Sequence, residues 1–209
     1  AGGTPIVLEC NEKQGFKINP AELEKSITPK TKWIILNSPS NPTGACYSEN
    51  DIREIAKVLI KHLHVHILSD DIYEHVTYEG FKFFTIAQIE ELKERVLTMN
   101  GVSKAYSMTG WRMGWSVWPE KLIPHITKLA INSFSCVNAP SQFAGIAALD
   151  GPDDPIHEMM KKFDQRRKLI HKGLNDLPGV TCSMPGGAFY AFRNVKGTGM
   201  NGSEFSKKC

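Results

Sequence analysis

Apolar residues at Ile52, Ile55, Ala56, Leu59, Ile60 and Leu63 recur at helical spacing. One stripe of a helix therefore faces a core. Ser48 stands ahead of the stripe as an N-cap with Asp51 at the capping-box position, which predicts a helix from Ser48 to about Leu63. Trp33-Ile-Ile-Leu36, Val65-His-Ile-Leu68 and Val96-Leu-Thr-Met99 are short apolar runs of the kind found in strands, and the first reads as buried on both faces. Strand, helix and strand in this order imply parallel pairing with a right-handed crossover. The predicted class is α/β, with helices packed on both faces of the sheet.

Further along, Pro119 to Ile131 and Ala139 to Leu149 predict two more helices. Asp150-Gly-Pro-Asp-Asp-Pro155 breaks the pattern and marks a boundary between a larger unit, 1–150, and a smaller one, 151–209. The second unit opens with a long charged helix from Ile156 to Leu177. Strands follow at Val180 to Met184 and Ala188 to Arg193, around the Pro185-Gly-Gly187 turn. The chain starts at Ala1 without a Met and stops at Cys209 within an apparent helix barely begun, so it is expected to be a piece of a longer protein.

Composition narrows the function classes. An apolar share of 41% with 22% charged residues suits a packed core. A net charge of +3 without a basic run argues against a nucleic-acid partner. Five scattered cysteines without a C-x-x-C pair indicate neither a disulfide framework nor a zinc ribbon. No apolar run approaches a membrane span and no signal peptide opens the chain, which predicts a cytoplasmic protein.

Candidate chemistry concentrates in Asn100-Gly-Val-Ser103-Lys104-Ala-Tyr-Ser-Met-Thr109-Gly-Trp-Arg112-Met-Gly114. A lysine in a turn-rich, glycine-flanked segment is a candidate Schiff-base nucleophile. An arginine eight positions later suits a phosphate, which it can grip with two N–H groups. Asn37-Ser-Pro-Ser-Asn41-Pro-Thr-Gly44 and Ser69-Asp70-Asp71-Ile-Tyr73-Glu74 precede this run. Asn41, Asp70 with Tyr73, and Lys104 each follow a different predicted strand. In open α/β sheets ligands sit outside the carboxyl ends of the strands, so all three segments feed one edge. Taken singly, Asp70 also suits a helix cap, Tyr73 a core aromatic and Asn41 a turn residue.

These three segments together resemble the class I/II aminotransferases of the pyridoxal-phosphate fold type I superfamily. The likeness is greatest to the bacterial-type aspartate aminotransferase subgroup, some of whose members also use prephenate. Asp71, where the family usually has Glu, and Met99, where it usually has a β-branched residue, depart from the pattern. The resemblance implies a three-layer α/β/α large domain followed by the start of a smaller α+β domain, pyridoxal 5′-phosphate as cofactor, and a homodimer about twice this length per chain. It implies Lys104 as the Schiff-base lysine and proton carrier, and Asp70 as the partner of the pyridine nitrogen. Tyr73 and Asn41 would bond the ring 3′-oxygen, with Asn41 also on the substrate side. Arg112 would hold the phosphate, helped by Ser103 or Thr109.

The implied reaction is amino transfer between an amino acid and a 2-oxo acid, with aspartate and 2-oxoglutarate first and prephenate as an alternative. A lyase of the same fold, an inactive fragment or binding module, and a nicotinamide oxidoreductase built on Gly197-Thr-Gly199-Met-Asn-Gly202 are the other readings. The substrate-carboxylate arginine and the ring-stacking aromatic would lie outside this chain, so the chain by itself is expected to be inactive. His62, His64 and His66 read as helix C-terminal cations rather than metal ligands. Trp111 and Trp115 are expected in the core.

Overall fold

The computed structural model describes residues 2–208, so Cys209 at the end of the last expected helix lies outside it. Four strands form one sheet in the order β1 (Trp33–Asn37), β2 (His66–Asp70), β3 (Val96–Gly101) and β4 (Gly114–Val117). The first three are parallel, as expected, and β4 runs antiparallel to β3. The α/β class is borne out. β4 was not anticipated, because Gly114-Trp-Ser-Val117 is too short to show a period.

Helices α1 (Pro20–Ser26) and α2 (Glu49–Lys61) cover one face of the sheet. The Ser48–Asp51 capping box forms in both directions, and the Asp51 carboxylate also accepts from Lys17 at 2.7 Å. Ile52, Ile55, Ala56, Val58 and Leu59 pack with Leu36, Ile67 and Val96 into the main core. Burying each of the Ile, Leu and Val side chains is worth about 1.5–3 kcal/mol. Leu63 falls past the end of α2 and is exposed.

The strand alternation explains a departure at β1. Leu36 faces α2, while its neighbour Ile35 points to the opposite face and is 68% exposed, so β1 is not buried on both sides in this chain. Trp111 and Trp115, expected in the core, are 46% and 36% exposed. The reason is their placement on a surface turn and on the outer strand β4.

α3 (Ile123–Ser133), α4 (Ala139–Asp150) and α5 (Asp154–Asn175) follow, with the chain breaking between α4 and α5 where Asp150-Gly-Pro-Asp predicted. The two C-terminal strands shrink to β5 (Thr181–Cys182) and β6 (Arg193–Asn194), an antiparallel pair, before α6 (Gly202–Lys208). Residues between them spend their backbone bonds elsewhere. The N–H groups of Gly186 and Gly187 donate to the Gly44 carbonyl at 2.9 and 3.0 Å, and that of Ala188 donates to Val76 O at 2.8 Å. A backbone so engaged cannot also extend a β5–β6 ladder. Gly197 lies within a single 3-10 turn, Lys196–Thr198, packed on the Gly179 backbone, and α6 begins only at Gly202. Of the histidines, His62 bonds Glu24 and His64 bonds the Thr28 carbonyl, their rings edge to face at 6.1 Å, while His66 lies against Trp33.

Candidate functional site

The parallel register sets the ends of β1 and β2 level, with Asn37 beside Asp70. Asn37 Nδ2 donates to the Asp70 carbonyl at 3.1 Å, and its Oδ1 accepts from the Asn41 N–H at 2.7 Å. One side chain thus ties the loop after β1 to the end of β2. Gly44 closes that loop at φ 70°, and a Cβ there would strike Pro185. Glycine is required twice over, for conformation and for space. The Asn41 side-chain amide makes no hydrogen bond among the described residues, and the residue is exposed.

The adjacent acids divide. Asp70 is half-buried, its Oδ1 accepting from the Ile72 N–H at 3.3 Å. Burial raises its pKa, and the Ile72 N–H partly offsets this. Asp71 is buried, accepts from Ser69 Oγ at 2.6 Å, and gives its N–H to the Met99 carbonyl at 2.9 Å. Burial raises its pKa as well, against the hydrogen bond from Ser69. Only Asp70 is available to a ligand at the edge, while Asp71 braces β2 against β3.

Tyr73 is buried in the turn after β2, and its hydroxyl lies 2.5 Å from that of Tyr190. Burial, then the contact with Tyr190, holds its phenol well above the ordinary range. Lys104 sits in the turn after β3 with its ammonium 5.9 Å from the Tyr73 ring centre and 5.8 Å from that of Phe189. Ser103 beside it is half-buried. Gly101 and Gly114 meet where β3 and β4 pair, since a Cβ on Gly101 would lie 3.0 Å from the Gly114 Cα. That close approach brings Arg112, two residues before Gly114, to the same edge. Arg112 has φ 54°, caps the turn Thr109–Trp111, and spends one N–H on the Thr109 carbonyl at 3.1 Å. Arg112 and Thr109 are exposed, and the Thr109 and Ser103 hydroxyls make no hydrogen bond among the described residues.

The structure therefore gathers Asn41, Asp70, Tyr73, Ser103, Lys104 and Arg112 at one sheet edge. Sequence patterning missed Phe189 and Tyr190, which the Pro185-Gly-Gly187 segment carries back over Tyr73 and Lys104. The paired glycines before two aromatics were the only signal, and they mark close backbone approach: a Cβ on Gly187 would lie 2.6 Å from Pro39 Cβ. The donor set fits a phosphorylated pyridine aldehyde. It offers an amine for the aldehyde, a carboxylate for a ring nitrogen, a phenol and an amide for a ring oxygen, and a guanidinium with hydroxyls for a phosphate.

The pattern of the family described as aminotransferase class I and II matches residues 1–209. An aspartate aminotransferase of Rhizobium meliloti (strain 1021) is 47% identical over 93% of this chain and 48% of its own length. A probable aspartate/prephenate aminotransferase of Rickettsia felis is 49% identical over 91% of this chain and 47% of its own. Among solved structures, the Rhizobium meliloti enzyme superposes with TM-score 0.91 at 47% identity, covering 93% of this chain and 49% of that one. An aromatic aminotransferase from Pyrococcus horikoshii OT3 superposes with TM-score 0.94 at 37% identity, covering 99% and 55%. The chain thus spans about half the length of the relatives it matches. With its lysine, acid and arginine at one sheet edge, the chain belongs to the class I and II aminotransferase family.

Proposed function

We propose that the protein transfers an amino group between an amino acid and a 2-oxo acid with pyridoxal 5′-phosphate as cofactor, the first pair being aspartate and 2-oxoglutarate. The placement of the Lys104 amine over both the Tyr73 and Phe189 rings, at the edge that Asp70 shares, carries the proposal. The relatives named aspartate aminotransferase support aspartate as the amino acid. The relatives named for prephenate favour that oxo acid as the second choice. A homodimer of the complete protein belongs to the same proposal, as does division into a cofactor-binding part, 1–150, and a smaller part that begins at 151.

When bound, the cofactor supplies an electron sink for the carbanion formed at the amino acid's α-carbon. The chain's residues have separate tasks around it. Lys104 would hold the aldehyde carbon and, as a free amine, would carry the proton to and from the α-carbon. Asp70 would keep a proton on the ring nitrogen by presenting a carboxylate there. Tyr73 and Asn41 would donate to the 3′-oxygen, with Asn41 also on the substrate side. Arg112 would grip the phosphate, and Ser103 and Thr109 would add hydroxyl donors. Phe189 lies under the lysine on the C-terminal side, and Tyr190 packs on Tyr73.

The test begins with the protein expressed from its complete reading frame and loaded with pyridoxal phosphate. Borohydride should fix the cofactor to Lys104, located by mass spectrometry, and a coupled assay should show oxaloacetate forming from aspartate and 2-oxoglutarate. An adduct on a different lysine refutes the site. An adduct on Lys104 with elimination products in place of a new amino acid refutes the transfer.

A further inference from the structure

The Tyr190 hydroxyl reaches the buried Tyr73 hydroxyl from a segment 117 residues further along the chain. That segment is held on several sides. Ala188 is fully buried at φ 55°, its N–H donates to Val76 O at 2.8 Å, and its carbonyl accepts from Tyr78 Oη at 2.6 Å. Gly186 and Gly187 both donate to the Gly44 carbonyl. Left-handed backbone at an alanine persists only where the surroundings over-determine it. Tyr190 is thus delivered to Tyr73 by a braced strap rather than by a mobile tail.

Each phenol has one proton to give. With no other acceptor at the edge, Tyr73 gives its proton to Tyr190, and burial, then this bond, holds the Tyr73 phenol up. When the Tyr73 proton points instead to an acceptor at the sheet edge, the Tyr190 proton is the one that must lie between the two oxygens. We propose that Tyr190 is a positioning residue that donates to Tyr73, fixes its hydroxyl beside Lys104, and strengthens the hydrogen bond that Tyr73 gives to the cofactor's ring oxygen. This rests on the function proposed above. A phenol that accepts a hydrogen bond becomes a better donor, because chains of such bonds polarise one another. The other groups facing Tyr73 are the Phe189 ring, the Lys104 ammonium and the Asp70 carboxylate. None of these donates a hydrogen bond to the Tyr73 oxygen among the described residues.

Two measurements on the complete protein test this. Without cofactor, denaturant unfolding is compared for Tyr73→Phe, Tyr190→Phe and the double variant. A shared hydrogen bond predicts a coupling of about 2- to 12-fold in the unfolding equilibrium; strict additivity overturns the proposal. With cofactor, the near-visible absorbance of the cofactor–lysine chromophore is titrated with pH. Tyr73 donation stabilises negative charge on the ring oxygen and loosens the proton held at the lysine nitrogen, so losing it raises the midpoint. Tyr73→Phe should raise it by about 1–2 pH units, as expected for one charge-assisted hydrogen bond. Tyr190→Phe should raise it by about 0.1–0.6, the fraction that bond cooperativity carries, and the double variant should match Tyr73→Phe. A chromophore whose midpoint ignores Tyr190→Phe overturns the proposal alone. Absence of any chromophore on Lys104 overturns the functional reading and this proposal with it, while the cofactor-free cycle still reports whether the bond exists.

Discussion

Arg167 on α5 is the residue whose loss should most disturb the strap that carries Phe189 and Tyr190. Its side chain is only 3% exposed. Nη1 donates to the Pro185 carbonyl at 2.9 Å, Nε donates to Asp164 at 2.9 Å, Nη2 donates to Glu79 at 2.7 Å, and the guanidinium lies 4.3 Å from the Tyr78 ring centre. Arg167→Met keeps most of the volume and removes every donor. The Glu79 pair contributes little, since that carboxylate is 71% exposed and screened. The Pro185 carbonyl, left in a buried place without its donor, costs about 1–3 kcal/mol. Losing a desolvated cation over an aromatic ring costs about 1–2 kcal/mol more. Some relief comes from no longer burying a charge, so a net loss of about 2–4 kcal/mol is expected. At about 2–4 °C per kcal/mol for a domain of this size, the melting temperature should fall by roughly 4–16 °C. Thermal melts followed by circular dichroism measure this, with exposed Arg166→Met as the control that should barely move. An Arg167→Met melt within a degree of the parent would refute the view that this guanidinium clamps the strap.

Three further outcomes are expected. Asp70→Asn should reduce aspartate/2-oxoglutarate turnover by several orders of magnitude, while Asp71→Asn changes it by less than about tenfold; steady-state assays that gave equal losses would contradict the division of the two acids. Because burial raises the folded pKa of Asp71 above its ordinary 3.8, its contribution is fully present below that value and is lost as pH rises through the higher folded pKa. Stability titrations of Asp71→Asn should therefore slope less steeply in that window, and an unchanged slope would assign it to other groups. Gly187→Ala drives a Cβ to 2.6 Å from the Pro39 ring and 2.7 Å from Cys46 Sγ, which should cost about 1–3 kcal/mol. Gly145→Ala meets only the flexible end of Met113 and gains helix propensity, so its melt should stay level or rise; the reverse order in the two melts would sink the packing argument.

The local elements were legible wherever one period dominated a long enough window. The stripe from Ile52 to Leu59 and the Ser48–Asp51 cap describe α2 to within a few residues, because helix period and capping chemistry are carried by neighbours in sequence. The three apolar runs became three parallel strands for the same reason. The motif residues were legible as one edge, since parallel connections send every strand's C-terminal loop to the same side. β4 and the region from Val180 to Arg193 were not, since four residues show no period and an aromatic run does not say which partner takes its backbone bonds.

Sequence by itself therefore determined the residue types at the site, their order along the chain and the strand ends that present them. The family pattern already names Asp70 over Asp71, and tertiary structure supplies a physical difference between the two like acids: Asp71 is buried and takes the Ser69 hydroxyl, while Asp70 stays half-buried at the strand end. Tertiary structure alone decided that Tyr190 meets Tyr73, a contact between residues 117 positions apart, set by the Gly44 carbonyl, the Ala188 turn and the Arg167 clamp. Those contacts depend on where backbone donors are satisfied in three dimensions, and no pattern of neighbouring residues records that.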